Sequence, residues 1–237
     1  MARYTPVKEY RHLFFDLDHT LWDFEKNAAE TIYTLYDTFA LHQFGKFTST
    51  DFYKKYSYIN QRMWRLFHEG KITQQELRVG RFEITLTKLG LTPEQVPAGL
   101  HEAFTTICPT KTAVFPYTHE TLTYLKSKYV LHIITNGFKD VQAVKLASAN
   151  LGQYFSEVIT SECAACTKPD KKIFQHAMER AGVKATECLM IGDSLEADIL
   201  GAKNAGIDQV FFNPEKKRHS MLATHEISCL SQLMTIL

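Results

Sequence analysis

A short apolar run, His12–Phe15, closes on Asp16-Leu17-Asp18-His19-Thr20, and no second strand pattern appears until after Phe115. A brief apolar run ended by polar residues reads as a buried parallel strand. Such a strand cannot stand alone, because its backbone groups need partners. It must therefore join strands that lie far along the chain.

Between these points, from about Asp23 to Thr106, the periodicity is helical. Phe24, Ala28, Ile32, Leu35, Tyr36 and Phe39 recur at helical spacing, as do Phe52, Tyr56, Ile59, Met63, Leu66 and Phe67. Thr73-Gln74-Gln75-Glu76 has the form of a capping box and opens a helix toward Leu89. Thr92-Pro93-Glu94-Gln95, with Thr at the N-cap and Pro at the first helical position, predicts a fourth helix. Trp64 lies in the second stripe and is expected in the core.

After Phe115 the chain alternates between helices and strands. Helices are predicted at Thr118–Lys128, Asp140–Asn150, Asp170–Ala181, Glu196–Ala205 and Ser228–Leu237. Strands are predicted at Val130–Thr135, Val158–Thr160, Leu189–Ile191 and Val210–Phe212. This alternation implies βαβ units and a parallel sheet, an α/β fold. The helical block is then an insertion in that fold. Residues 1–20 and 112–237 are expected to form the α/β core, and residues 21–111 a helical cap. The insertion leaves and re-enters at the carboxyl ends of the strands, where open α/β sheets bind ligands.

Composition narrows the function. The 237 residues carry 27 Lys and Arg against 26 Asp and Glu, a net charge of +1, which disfavours a protein that coats nucleic acid. Hydrophobic residues make up 45% and charged residues 22%, as in ordinary globular proteins. No apolar run approaches the roughly 20 residues that cross a bilayer. The polar start, MARYTPVKEYRH, lacks the apolar segment of a signal peptide. The five cysteines form no evident disulfide framework, and reduced thiols in a cytoplasmic protein are expected. Cys163-Ala164-Ala165-Cys166 has no second pair that would complete a zinc site. Asn213–His219 reads as a basic, solvated loop.

Chemistry-bearing residues collect where the strands end. The first strand delivers Asp16, Asp18 and Thr20, and a later one Thr135, Asn136 and Gly137. Others deliver Glu162 and Lys168-Pro169-Asp170, then Asp193, Ser194 and Asp198. Like charges crowded at one sheet edge repel unless a cation or proton joins them. Asp16 and Asp193 offer hard oxygens suited to Mg²⁺. Lys168, Thr135 and strand-end N–H groups offer donors to an anion. A cation site beside an anion site, with a carboxylate to spare, is a layout for phosphoryl transfer.

Asp16-Leu17-Asp18-His19-Thr20, Thr135-Asn136-Gly137, Lys168-Pro169 and Gly192-Asp193-Ser194-Leu195-Glu196-Ala197-Asp198 resemble, in order, the four motifs of the haloacid dehalogenase (HAD) superfamily. The resemblance spans the whole α/β portion. It implies a Rossmann-like core with an inserted, all-helical cap of the C1 type. It also implies Asp16 as nucleophile, forming an aspartyl-phosphate, and Asp18 as general acid and then general base. Mg²⁺ would be held by the Asp16 and Asp193 carboxylates and the Asp18 carbonyl. Thr135 and the Asn136 N–H would bind the phosphoryl group, Lys168 would neutralise charge, and Asp198 would support it. Dehalogenating members lack a carboxylate two residues after the nucleophile, so Asp18 favours phosphate ester hydrolysis.

The stretch Asp18–Phe24, with Asn27 close behind, is similar to the pyrimidine 5′-nucleotidase branch. That implies a small phosphate ester as partner, a nucleoside 5′-monophosphate, with Trp22, Phe24 and Asn27 as candidate specificity residues. Sugar-phosphate phosphatases and phosphoglucomutase-like enzymes share these motifs. A non-catalytic binding protein could keep the same fold. No nucleic-acid polymer or membrane partner is indicated, and the sequence leaves the oligomeric state open.

Overall fold

The structure is a computed structural model and describes residues 9–237. The polar start read above lies, over residues 1–8, outside the described residues. The described residues form two compact units, one of residues 9–23 and 112–237 and one of Phe24–Lys111. Leu21, Trp22 and Asp23 belong with the first unit because Trp22 bridges to Asp18 and Val114.

The first unit is built on strands β1 (His12–Phe15), β2 (Val130–Thr135), β3 (Phe155–Thr160), β4 (Cys188–Gly192), β5 (Asp208–Phe212) and β6 (His225–Ile227). They form one sheet in the order β3-β2-β1-β4-β5-β6, with every neighbouring pair parallel. The early run thus becomes a central strand, with Phe15 paired to Ile133 on one side and Ile191 on the other. Leu13, Phe14 and Phe15 are fully buried, as expected for a parallel strand covered on both faces. Each such side chain contributes roughly 1.5–3 kcal/mol through removal from water. The strand order reverses at β1, so β1 and β4 flank the switch point where open sheets bind ligands. β6 has one buried apolar residue, Ile227, too weak a pattern to read from sequence.

The second unit contains α1 (Phe24–Thr38), α2 (Ser49–His68), α3 (Gln74–Lys88) and α4 (Leu100–Ile107). Capping boxes open α2 and α3. The Asp51 and Glu76 N–H groups donate to Thr48 and Thr73 hydroxyls, and the threonine N–H groups donate back to those carboxylates. Tyr56, Phe82 and Phe104 form the aromatic centre, with ring centroids 5.1–5.2 Å apart. Two expectations change here. The box at Thr92 yields one turn, Pro93–Gln95, and no long helix. Val96 precedes Pro97, and a residue before proline is pushed out of the helical region; its φ and ψ are −68° and 118°. Trp64 is half-buried, edge-on to Phe67 at 5.8 Å, and is not a core residue.

Helices α5 (Thr118–Lys126), α6 (Lys139–Ser148), α7 (Ser161–Ala164), α8 (Lys171–Ala181), α9 (Gly201–Asn204) and α10 (Leu233–Ile236) complete the first unit. Asp170 caps α8 through its side chain, and Gly182 ends it in the left-handed region at φ 67°. The segment read as one helix from Glu196 begins instead as a wide π-helical turn, Leu195–Leu200, before α9. The final helix starts later than Ser228, after a turn at Leu230–Gln232. No helix among the described residues is long and apolar enough to cross a membrane.

Candidate active site

Register places the acidic residues together. Asp16 follows β1 and still donates its N–H to the Ile191 carbonyl at 2.9 Å, so it is held at the ends of β1 and β4. Asp193 follows β4 directly. Asp198 is reached through the π-helical turn, and its carboxylate accepts the Ser194 N–H at 2.9 Å. A Cβ at position 192 would strike this carboxylate, so only glycine fits there. Carboxylate oxygens of Asp16, Asp193 and Asp198 lie within 4.8 Å of one another.

Lys168 enters from the loop before α8 and is buried. Its ammonium donates to Asp16 Oδ1 at 2.5 Å, Asp198 Oδ1 at 2.6 Å and the Ile134 carbonyl at 2.8 Å. Those three bonds use its three hydrogens. Asn136 fixes this loop: its Nδ2 donates to the Lys168 carbonyl, and the Lys168 N–H donates to its Oδ1.

Three carboxylates, Asp16 and Asp198 buried and Asp193 half-buried, against one ammonium leave negative charge in excess. Burial, with repulsion from Asp198 and Asp193 outweighing the pull of Lys168, pushes Asp16 up to about 8. Burial and Asp198 push Asp193 up to about 7. Burial opposes charge on Lys168, but Asp16 and Asp198 overcome it and hold the ammonium protonated. Such an all-oxygen, charge-rich cluster suits a hard divalent cation. Thr20 spans it, with its hydroxyl 3.2 Å from Asp193 Oδ1 and 3.4 Å from Asp16 Oδ2.

Asp18 sits in different surroundings. Lys145 Nζ meets its Oδ1 at 2.6 Å, and Gln142 Nε2 donates to its Oδ2 at 2.8 Å. Burial alone would raise Asp18, but the adjacent Lys145 ammonium and these hydrogen bonds hold it below the usual carboxylate range. Gln142 Nε2 also donates to Thr135 Oγ1 at 2.7 Å. The same oxygen accepts the Gly137 N–H at 3.1 Å. With both lone pairs of Thr135 engaged, its O–H is left to donate.

Lys145 and Gln142 did not stand out in the sequence. Their one signal was a buried-face position in α6, three residues apart, just after the Thr135-Asn136 strand end. Two of the candidate specificity residues are fully buried. Trp22 is fully buried with the Lys145 ammonium 4.6 Å from its ring centroid, so it packs and offers no open face to a base. Asn27 is also fully buried, within α1 of the helical unit. Phe24, at the start of α1, is half-buried. Cys163 is exposed and Cys166 half-buried, both as free thiols.

Residues 10–206 match the haloacid dehalogenase-like hydrolase family. The chain is a haloacid dehalogenase-like hydrolase. It is similar over its whole length to the magnesium-bound HAD-hydrolase YfnB of Bacillus subtilis. The two structures share 32% identity and a TM-score of 0.86, covering 97% of this chain and 99% of that one. Pyrimidine 5′-nucleotidase YjjG of Escherichia coli is 32% identical over 95% of this chain and 96% of its own. Pyrimidine 5′-nucleotidase PynA of Streptococcus pneumoniae is 32% identical over 96% of this chain and 95% of its own. These relatives set the enzyme among the phosphatases of the family.

Proposed function

We propose that this hydrolase cleaves nucleoside 5′-monophosphates to the nucleoside and inorganic phosphate through an aspartyl-phosphate on Asp16. The observation that carries the reading is the pairing of two carboxylates, two residues apart, in opposite settings. Asp16 lies against Lys168 in the acidic cluster, while Asp18 stands apart on Lys145 and Gln142. One is set to attack and the other to handle protons.

The Asp16 carboxylate bonds to phosphorus as the ester P–O bond breaks. Asp18, held ionised in the resting site, takes up a proton from solvent when the negative phosphate arrives beside it and gives that proton to the leaving oxygen. Water then attacks phosphorus, its proton passes to Asp18, and phosphate leaves with Asp16 restored. Thr135 O–H and the Asn136 N–H bind the phosphoryl oxygens. Lys168 offsets charge on Asp16, held in turn by Asp198, whose oxygens are committed to Lys168 and the Ser194 N–H. The Asp16 and Asp193 carboxylates and the Asp18 carbonyl would hold Mg²⁺. When bound, that ion neutralises the phosphate charge that otherwise repels an incoming carboxylate.

The 5′-nucleotidase reading rests on the two full-length relatives that bear that name. Phe24 is the remaining candidate for base contact. We place the enzyme in the cytoplasm, acting on a small phosphate ester with no nucleic-acid polymer or membrane partner. The test is phosphate release from a panel of nucleoside and sugar monophosphates, with Mg²⁺ and with chelator. Preferential cleavage of nucleoside 5′-monophosphates that stops with chelator is expected. Cleavage of sugar phosphates alone would replace the nucleotidase reading, and no release from any ester would leave a binding protein.

A further inference from the structure

We propose that Lys145 and Gln142 are positioning residues that hold the Asp18 carboxyl in line with the phosphate pocket, so that it serves the leaving group. The inference rests on the phosphomonoesterase reading and assigns a task to two residues to which its reaction steps give none.

Both side chains rise from one face of α6, three residues apart, a spacing that sets them side by side. Each takes a different oxygen of Asp18, so the carboxylate plane is fixed at two points. Gln142 spends its other amide hydrogen on Thr135 Oγ1. One amide therefore ties the acid–base carboxylate directly to the hydroxyl that meets the phosphoryl group. The Asp18 side chain retains 23% exposure while Lys145 retains 6%. The clamp thus lies behind a carboxylate that still faces outward.

The arrangement is costly as mere packing. A buried ammonium loses hydration worth several kcal/mol. Gln142 is fully buried, yet its Oε1 has no hydrogen-bond partner. An unpaired buried acceptor costs about 1–3 kcal/mol, which an aliphatic side chain would avoid. Trp22 accounts for part of the compensation, since its ring faces the Lys145 ammonium at 4.6 Å. A residue kept in a costly setting, with both donors aimed at reacting groups, is explained by position.

The role predicts a kinetic signature. Proton donation matters for an alkoxide leaving group and little for p-nitrophenolate, which departs as the anion. The ratio kcat/KM covers the steps through phosphoryl transfer to Asp16, and it excludes the later attack of water. The experiment compares kcat/KM for a nucleoside 5′-monophosphate and for p-nitrophenyl phosphate in Lys145→Met, Gln142→Leu, Lys145→Arg and Asp18→Asn. Comparing two substrates on one preparation cancels any misfolded fraction.

Asp18→Asn should lower the nucleotide value at least about 100-fold more than the aryl value. Lys145→Met and Gln142→Leu should show the same preference at about tenfold or more, and Lys145→Arg should recover part of it. If Asp18→Asn splits the substrates while Lys145→Met and Gln142→Leu lower both equally or neither, the clamp assignment is overturned and Asp18 keeps its role. If Asp18→Asn itself shows no split, the acid–base reading fails, and the clamp with it.

Discussion

The sheet buries titratable side chains at both ends of β1 and β2, and the two ends solve the problem differently. At the carboxyl end, two carboxylates share one ammonium beside a third, and the cluster retains negative charge. At the amino end, His12 and His132 stack with rings 5.2 Å apart, and Nδ1 of the first meets Nε2 of the second at 2.9 Å. That pair stays neutral. Burial and its neighbour His12 push His132 down to about 4, the weaker pull of Glu157 notwithstanding. Buried polarity alone therefore does not mark a site. An uncompensated charge does, because it calls for a ligand.

The sharpest break of this contrast is Asp16→Asn. It keeps the shape and removes the proposed nucleophile, so phosphate release should fall by at least about four orders of magnitude. Thermal stability should hold or rise, because a crowded negative charge is gone. An active Asp16→Asn enzyme would remove the nucleophile assignment. Lys168→Met should instead unfold the carboxyl end. It strands two partners of a buried ion pair and should cost about 3–5 kcal/mol in denaturant titration. A loss below about 1 kcal/mol would mean that the ammonium does not hold the cluster.

The carboxyl end should also respond to cations, and the amino end should not. Mg²⁺ at 100 times its dissociation constant should stabilise the wild type by about 2.7 kcal/mol, read as a higher melting temperature. Asp193→Asn should abolish that rise, and His132→Phe should leave it intact. Equal rises in all three proteins would place the ion elsewhere.

How much of this was legible beforehand follows the range of each interaction. The apolar run at His12–Phe15 and the long helical interruption were visible because strand and helix periodicities are local. Asp16 and Asp193 stood out because each directly follows a strand, and Lys168 and Asp198 because they lie in the segments that leave β3 and β4 at the same edge of the parallel sheet. Lys145 and Gln142 were hidden because they meet Asp18 across more than 120 residues of chain. Trp22 misled for a related reason: its type suggested a stacking surface, but the bridge to Val114 turns it inward. The helix after Thr92 failed through a neighbour, Pro97, whose effect on Val96 outweighed a sound cap.

The smallest effect tests the amino end through pH. The unfolded chain takes up protons on histidine near 6.5, while the folded His132 refuses them until about 4. Stability contributed by this pair is thus present above 6.5 and lost as pH falls toward 4, with a slope of up to about 1.4 kcal/mol per pH unit. The carboxyl end runs the other way without a cation. Asp16 and Asp193 sit near 8 and 7 in the fold and near 3.8 outside it, so their contribution grows as pH falls across that window. Denaturant titrations with saturating Mg²⁺ should quiet the carboxylates and leave the histidine slope. His132→Phe keeps a ring against Phe14, whose centroid lies 4.9 Å away, and removes the proton acceptor. It should flatten the loss of stability between pH 6.5 and 4. An unchanged slope in that variant would mean that the pair is not what resists protonation at the amino end.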